Sequence, residues 1–138
     1  MIPGMILKFL HERGSFAVSG TRDANLGPHV HYVSGWDVEP DQQTIRCSIN
    51  RAYLDHLFSS LEDNGQFSLT VEQIGSHETY QFKGTYAGST EPNDADFAAH
   101  QRMTERLAKA VSLLFGHSEE DCRAYVWQPS VVVRFTVR

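Results

Sequence analysis

Three stretches near the start of the chain alternate apolar and polar residues: Ser15–Thr21 (SFAVSGT), His29–Gly35 (HVHYVSG) and Thr44–Asn50 (TIRCSIN). Period-two alternation marks a strand with one buried face. The segments between them, RDANLGP and WDVEPDQQ, are short and rich in turn residues. Parallel neighbours would need a crossover of a dozen or more residues, usually a helix. These strands must therefore pair antiparallel. The same reasoning joins Gln66–Gln73 (QFSLTVEQ) to Glu78–Thr90 through the turn IGSH, and Ser130–Val137 (SVVVRFTV) follows the break at Pro129. Six short antiparallel strands with little helix predict a mainly β domain, a small barrel with flanking helices. An open sandwich is the alternative, and a doubly wound parallel sheet does not fit.

Helices fill the gaps. Arg51–Asp63 places Leu54, Leu57, Phe58 and Leu61 at helical spacing on one face, with Asn50 as N-cap and Asn64-Gly65 as the stop. Asp94–Phe115 has Leu107, Val111, Leu114 and Phe115 as its inner face. Met5–His11 reads as a short leading helix, and HSEEDCRAYVW as a short helix or an irregular link. A chain of 138 residues suits one domain over residues 1–138. The net charge of −5, without any basic block, argues against nucleic acid as partner. No apolar run approaches the roughly 20 residues that span a bilayer. The N-terminus lacks the basic start and cleavage site of a secretory signal, and Cys47 and Cys122 fit a reducing compartment. A cytoplasmic location is expected.

Three polar features suggest an anion. Asn50-Arg51 stands at a helix start, where unpaired amides and a guanidinium fork suit phosphate. A plain N-cap beside a surface arginine explains the same residues. Gly20-Thr21-Arg22-Asp23 ends the first strand, and could equally form a local turn with a weak ion pair. Thr79, Gln81, Lys83 and Thr85 share one face of the fifth strand, opposite Tyr80, Phe82 and Tyr86. Beside them, Gly84 permits either a bulge or the close approach of a ligand. A solvated face is the bland reading of that strip. His29 and His31 share a strand face but have no third ligand in sequence, so no metal is expected. Nucleophile elbows, phosphate-cradling loops and paired catalytic carboxylates are missing, so a cofactor would have to carry any chemistry.

Together, FLHERGSFAVSGTRDANLGPHVHYVSG, TIRCSINRAYLDHLFSSLEDNGQFSLTVEQ and ETYQFKGTYAG resemble the FMN-binding split-barrel superfamily, and more narrowly its pyridoxamine 5'-phosphate oxidase-related members. The resemblance runs from Phe9 to Gly88, and the later helix and strand follow in the same order. It implies a six-stranded antiparallel split barrel and a homodimer with FMN at the interface. It places Ser48, Asn50 and Arg51 near the phosphate, Thr21, Arg22 and His31 on strands lining the cofactor, and Gln81 and Lys83 near ring or phosphate. The implied function is an FMN-dependent oxidoreductase passing electrons between a reduced donor and a small-molecule acceptor. Alternatives on the same fold are a non-catalytic flavin- or haem-binding module and a cofactor-free dimeric barrel. The chain departs from the oxidase itself, with HVHYVSG and NRAY where that enzyme carries denser basic residues, and this points away from vitamin B6 oxidation.

Overall fold

The computed structural model describes residues 1–11 and 15–138. Six strands, β1 (Ser15–Arg22), β2 (Pro28–Val38), β3 (Thr44–Ile49), β4 (Gln66–Gln73), β5 (Thr79–Thr90) and β6 (Val131–Val137), close into an antiparallel barrel in the order β1-β2-β3-β6-β5-β4. Around it lie α1 (Gly4–His11), α2 (Leu54–Asn64, entered through a 3-10 turn at Arg51–Tyr53), α3 (Asp94–Phe115) and α4 (Glu119–Tyr125).

Alternation sends one residue in two inward. Ala17 of β1, Ile45, Cys47 and Ile49 of β3, Phe67, Leu69 and Val71 of β4, Phe82 of β5, and Val133 and Phe135 of β6 fill the interior. Phe67 packs on Phe135 with ring centroids 4.8 Å apart. The barrel ends are plugged by helices. Ile2, Phe9 and Leu10 enter the core from the α1 side, and Leu57 and Leu61 from α2. Trp36 Nε1 donates to the Leu10 carbonyl at 3.1 Å, which ties α1 down.

Trp36 and Val38 correct the expected turn over WDVEPDQQ. β2 continues to Val38, after a register shift between Val33 and Gly35. The bulge moves Trp36 to the buried side, 4% exposed, which a strict alternation from His29 would not predict. It also opens a seat for α3. A Cβ on Gly35 would lie 2.9 Å from the His100 Cα, so only glycine lets the helix backbone come this close. His100 Nδ1 donates to the Ser34 carbonyl at 3.2 Å. At the start of α3, Asn93 and Asp96 form a capping box. The Asp96 carboxylate also takes two guanidinium bonds from Arg46, at 2.9 and 2.7 Å, pinning the helix start to β3.

Candidate functional site

The even-numbered residues of β1 face outward: Phe16, Val18, Gly20 and Arg22. Val18 pairs with Tyr32 and Gly20 with Val30 on β2, while on the other side Gly20 pairs with Ser68 and Ser68 with Lys83. Cα partners in an antiparallel ladder point the same way. One outer face thus runs across β2, β1, β4 and β5.

At one end of this face is a groove of about 310 Å³. Thr21, Arg22, Lys83 and Arg138 line it, with Gly20 and Ser68 among its other residues. Gly20 keeps the floor low, since a Cβ there would meet Ser68 Oγ at 2.7 Å. Among the described residues, no aspartate or glutamate lines the groove. Among the described residues, Arg22, Lys83 and Arg138 enter none of the ion pairs, unlike Arg46, Arg123 and Arg134, which are held by Asp96, Glu105 and Glu39. The Thr21 side-chain oxygen is buried and has no hydrogen-bond partner among the described residues. Three cations that enter no ion pair fit a phosphate-bearing ligand such as FMN.

Asp23 does not pair with Arg22, so the local ion pair read from RD does not form. Its carboxylate instead accepts from the amides of Asn25 and Gly27 and from the His29 ring, at 2.9, 2.8 and 3.1 Å. The Gly27 amide and then the His29 ring hold its pKa below the ordinary value. His29 in turn stacks on His56 at 5.1 Å.

Further back along β1 the same face reaches Phe16, whose ring lies 5.4 Å from Tyr32. Both border a cavity of about 420 Å³ between the barrel, α3 and α4, where Leu107, Val111, Val126 and Trp127 complete an apolar wall. Burial pushes the Tyr32 phenol up to about 12, so it stays neutral. Asn50 also borders this cavity, while its Oδ1 accepts from the Ala52 amide at 2.8 Å. Arg51, the next residue, is exposed.

The other expected residues separate. Gln81 is exposed on the outer face of β5, donates to Thr70 Oγ1 at 3.3 Å and borders a neighbouring recess with Arg138. His31 is 3% exposed and lies 3.5 Å from Ser19 Oγ, on the inward side of the hairpin. Burial, and then the charges of His29 and His56, lower its pKa. Ser48 is buried and pairs with Gly35, so it points to the side where α3 packs. The structure therefore brings Thr21, Arg22 and Lys83 into one groove, sets Asn50 at a second cavity, and leaves Arg51, His31 and Ser48 out of both linings. Among the described residues, no group of three or more His, Cys, Asp or Glu is set to hold a metal.

Arg138, Phe16, Tyr32 and Trp127 escaped the sequence reading. Extending the period-two count along β1 would have found Phe16, on the same face as Arg22. Nothing local to Arg138 or Trp127 signals their places, which depend on how β6 and α4 dock. As for the membrane, no helix of the described residues is long and apolar enough to cross one.

No protein-family model and no curated protein matches the chain. Solved structures do. HupZ of Group A Streptococcus aligns with 100% of this chain and 90% of its own, at TM-score 0.59 and 17% identity. A candidate pyridoxamine 5'-phosphate oxidase of Lactobacillus delbrueckii aligns over 99% and 90%, at TM-score 0.58 and 13% identity. HutZ, the haem storage protein of Vibrio cholerae, aligns over 97% and 88%, at TM-score 0.50 and 16% identity. At these identities the likeness is one of fold, and the chain shares the closed six-stranded barrel with flanking helices of these structures.

Proposed function

We propose that the protein is an FMN-binding oxidoreductase acting on a small molecule. The observation that carries this reading is the continuous outer face of β1 and β2. It leads from a cationic groove at Arg22 and Lys83, over Gly20 and Val30, to an aromatic cavity at Phe16 and Tyr32. Gly20 and Phe16 are four residues apart on one strand, or about 13 Å at roughly 3.3 Å per residue. A ligand with an anionic end and a flat aromatic end matches that polarity and length. Arg22 and Lys83 would hold the phosphate. Phe16 and Tyr32 would border the ring, and the neutral Tyr32 phenol keeps a proton to donate there. When bound, FMN supplies the redox chemistry, taking electrons from a reduced donor and giving them to a small acceptor. A second copy of the chain packed on the exposed Phe16 and Val30 would shield the face from water, giving a homodimer.

The test compares FMN with riboflavin, which lacks the phosphate, in fluorescence titrations. For wild type, FMN should bind and leave flavin absorption bands after desalting. Arg22→Ala with Lys83→Ala removes two charge-assisted contacts of about 1.5 kcal/mol each, so FMN should weaken roughly 150-fold. Riboflavin should not change. Equal loss for both ligands, or a selective loss only in Arg51→Ala, would move the phosphate out of the groove. Haem storage in HutZ sets the competing outcome: a protein that refuses FMN but gives a shifted haem absorption band on hemin addition is a binding module of another kind. Bound FMN that neither NADH nor NADPH reduces would keep the flavin and remove the oxidoreductase activity with those donors.

A further inference from the structure

The groove and the aromatic cavity differ in charge, and the difference bears on what enters beside the cofactor. The cavity wall is built from Phe16, Tyr32, Leu107, Val111, Val126 and Trp127. Its polar groups include Asn50, His117, Asp121, Cys122 and the Tyr125 phenol. Among the described residues, no lysine or arginine lines it, and Asp121 is its one acidic residue. Asp121 sits in the first turn of α4 with Glu119 and Glu120. The arginine of that helix, Arg123, is turned away. It is bound by both carboxylate oxygens of Glu105, at 2.7 and 2.9 Å, and lies 3.9 Å from Glu119. Arg51 follows Asn50 in the chain but does not line the cavity.

We infer that this cavity selects flat aromatic molecules that are neutral or positively charged, and rejects those carrying phosphate or carboxylate. On the proposed flavin reading, such a molecule is the redox partner that meets the cofactor. Two physical terms act in the same direction. Aromatic faces attract a cation through the ring quadrupole, most strongly for tryptophan. An anion entering the cavity would lose its hydration against apolar walls and approach the Asp121 carboxylate with no lysine or arginine among the described lining residues to offset it. Burial also raises the Cys122 thiol, which keeps a thiolate from forming, and the neutral Tyr32 adds no charge. The chemical class excluded includes pyridoxamine 5'-phosphate and its relatives. The class admitted includes uncharged and N-alkylated heteroaromatics.

The experiment uses the full chain without flavin and three probes of one ring system: phenazine, N-methylphenazinium and phenazine-1-carboxylate. Binding is read from quenching of Trp127, with the core residue Trp36 as a steady background. The cation should bind at least about tenfold more tightly than the carboxylate, with neutral phenazine between them. Asp121→Asn should weaken the cation about threefold and leave phenazine unchanged. Trp127→Ala, followed by calorimetry, should weaken phenazine and, more strongly, its N-methyl cation. A carboxylate that binds as well as the cation, a cation affinity unchanged in Asp121→Asn, or no binding by any probe would overturn the inference. An FMN titration on the same preparation separates the two readings. Loss of FMN binding with the phenazine ranking intact keeps the cavity's selectivity and removes its redox role. Retained FMN with the ranking lost does the reverse.

Discussion

Replacing Gly84 by alanine tests whether this glycine is kept for packing or for a ligand. Gly84 pairs with Phe67 of β4 and Val137 of β6 and is buried. A Cβ built there would lie 2.2 Å from the Thr136 carbonyl oxygen, 2.7 Å from Phe135 Cδ2 and 2.8 Å from the Thr136 carbonyl carbon. The first and last are backbone atoms, so no rotamer change relieves them. Real Cβ contacts stay beyond 3.0 Å, so β5 and β6 would have to part by about 1 Å. Overpacking of this kind costs about 1–3 kcal/mol when side chains can adjust. Here the sheet itself must move, so the upper end, about 3 kcal/mol, is expected. For a domain of this size that lowers Tm by about 10 °C. Lys83 would shift as well, because the Arg138 amide donates to its carbonyl at 2.9 Å beside the groove. Urea denaturation of Gly84→Ala beside Gly4→Ala makes the measurement. A Cβ added at Gly4 would meet nothing within 4 Å, so that variant should stay within about 0.5 kcal/mol of wild type. A Gly84→Ala protein less than about 1 kcal/mol below wild type would refute the packing account and return Gly84 to the ligand reading.

The Asp96 carboxylate and Arg46 should behave as one unit. Asp96→Asn and Arg46→Met should each cost about 2–4 kcal/mol, and the double variant less than the sum; additive losses in urea midpoints would show no coupling. Stability should also fall with acid. Burial lowers the pKa of both His31 and His100, so the unfolded chain binds protons that the folded one does not. The stabilisation is complete above about pH 6.5 and is lost as pH falls toward 5. For His31, the neighbouring His29 and His56 reinforce the effect, while for His100 the Ser34 carbonyl opposes it. Urea midpoints from pH 8 to pH 5 should decline in wild type and flatten in a His31→Gln, His100→Gln protein; a flat wild-type profile would count against neutral buried rings.

Much of the fold could be read locally. Gln66–Gln73 and Asp94–Phe115 have the same ends in sequence and structure, because alternation, a capping box and a left-handed Gly116 are short-range signals. The inner face expected for α3 fails at Leu114 and Phe115, which are exposed, the helix expected from Arg51 opens as a 3-10 turn, and β2 differs again. Its bulge and its extension to Val38 answer to the docking of α3 over Gly35, where the contact is His100, far along the chain, and no window of sequence contains both. The site divides in the same way. Lys83 and Gln81 do share an outer strand face, as alternation requires, so the polar strip on β5 is real. Its meeting with Arg22 depends on β4 standing between β1 and β5. His31 faces inward because it pairs with Ser19, whose alternate neighbours fill the core.

What this sequence determined alone was the set of strands and helices, their antiparallel pairing and which side of each strand is apolar. These follow from backbone periodicity and from connections too short to cross over. Only the tertiary structure decided which cations are left unpaired. Arg46 and Arg134 look no different in sequence from Arg22 and Lys83, yet closure of the barrel brings Asp96 and Glu39 to the first two and, among the described residues, no acidic side chain to the groove that holds the others. Charge becomes available to a ligand when long-range packing fails to neutralise it, and that balance is struck between residues far apart in the chain.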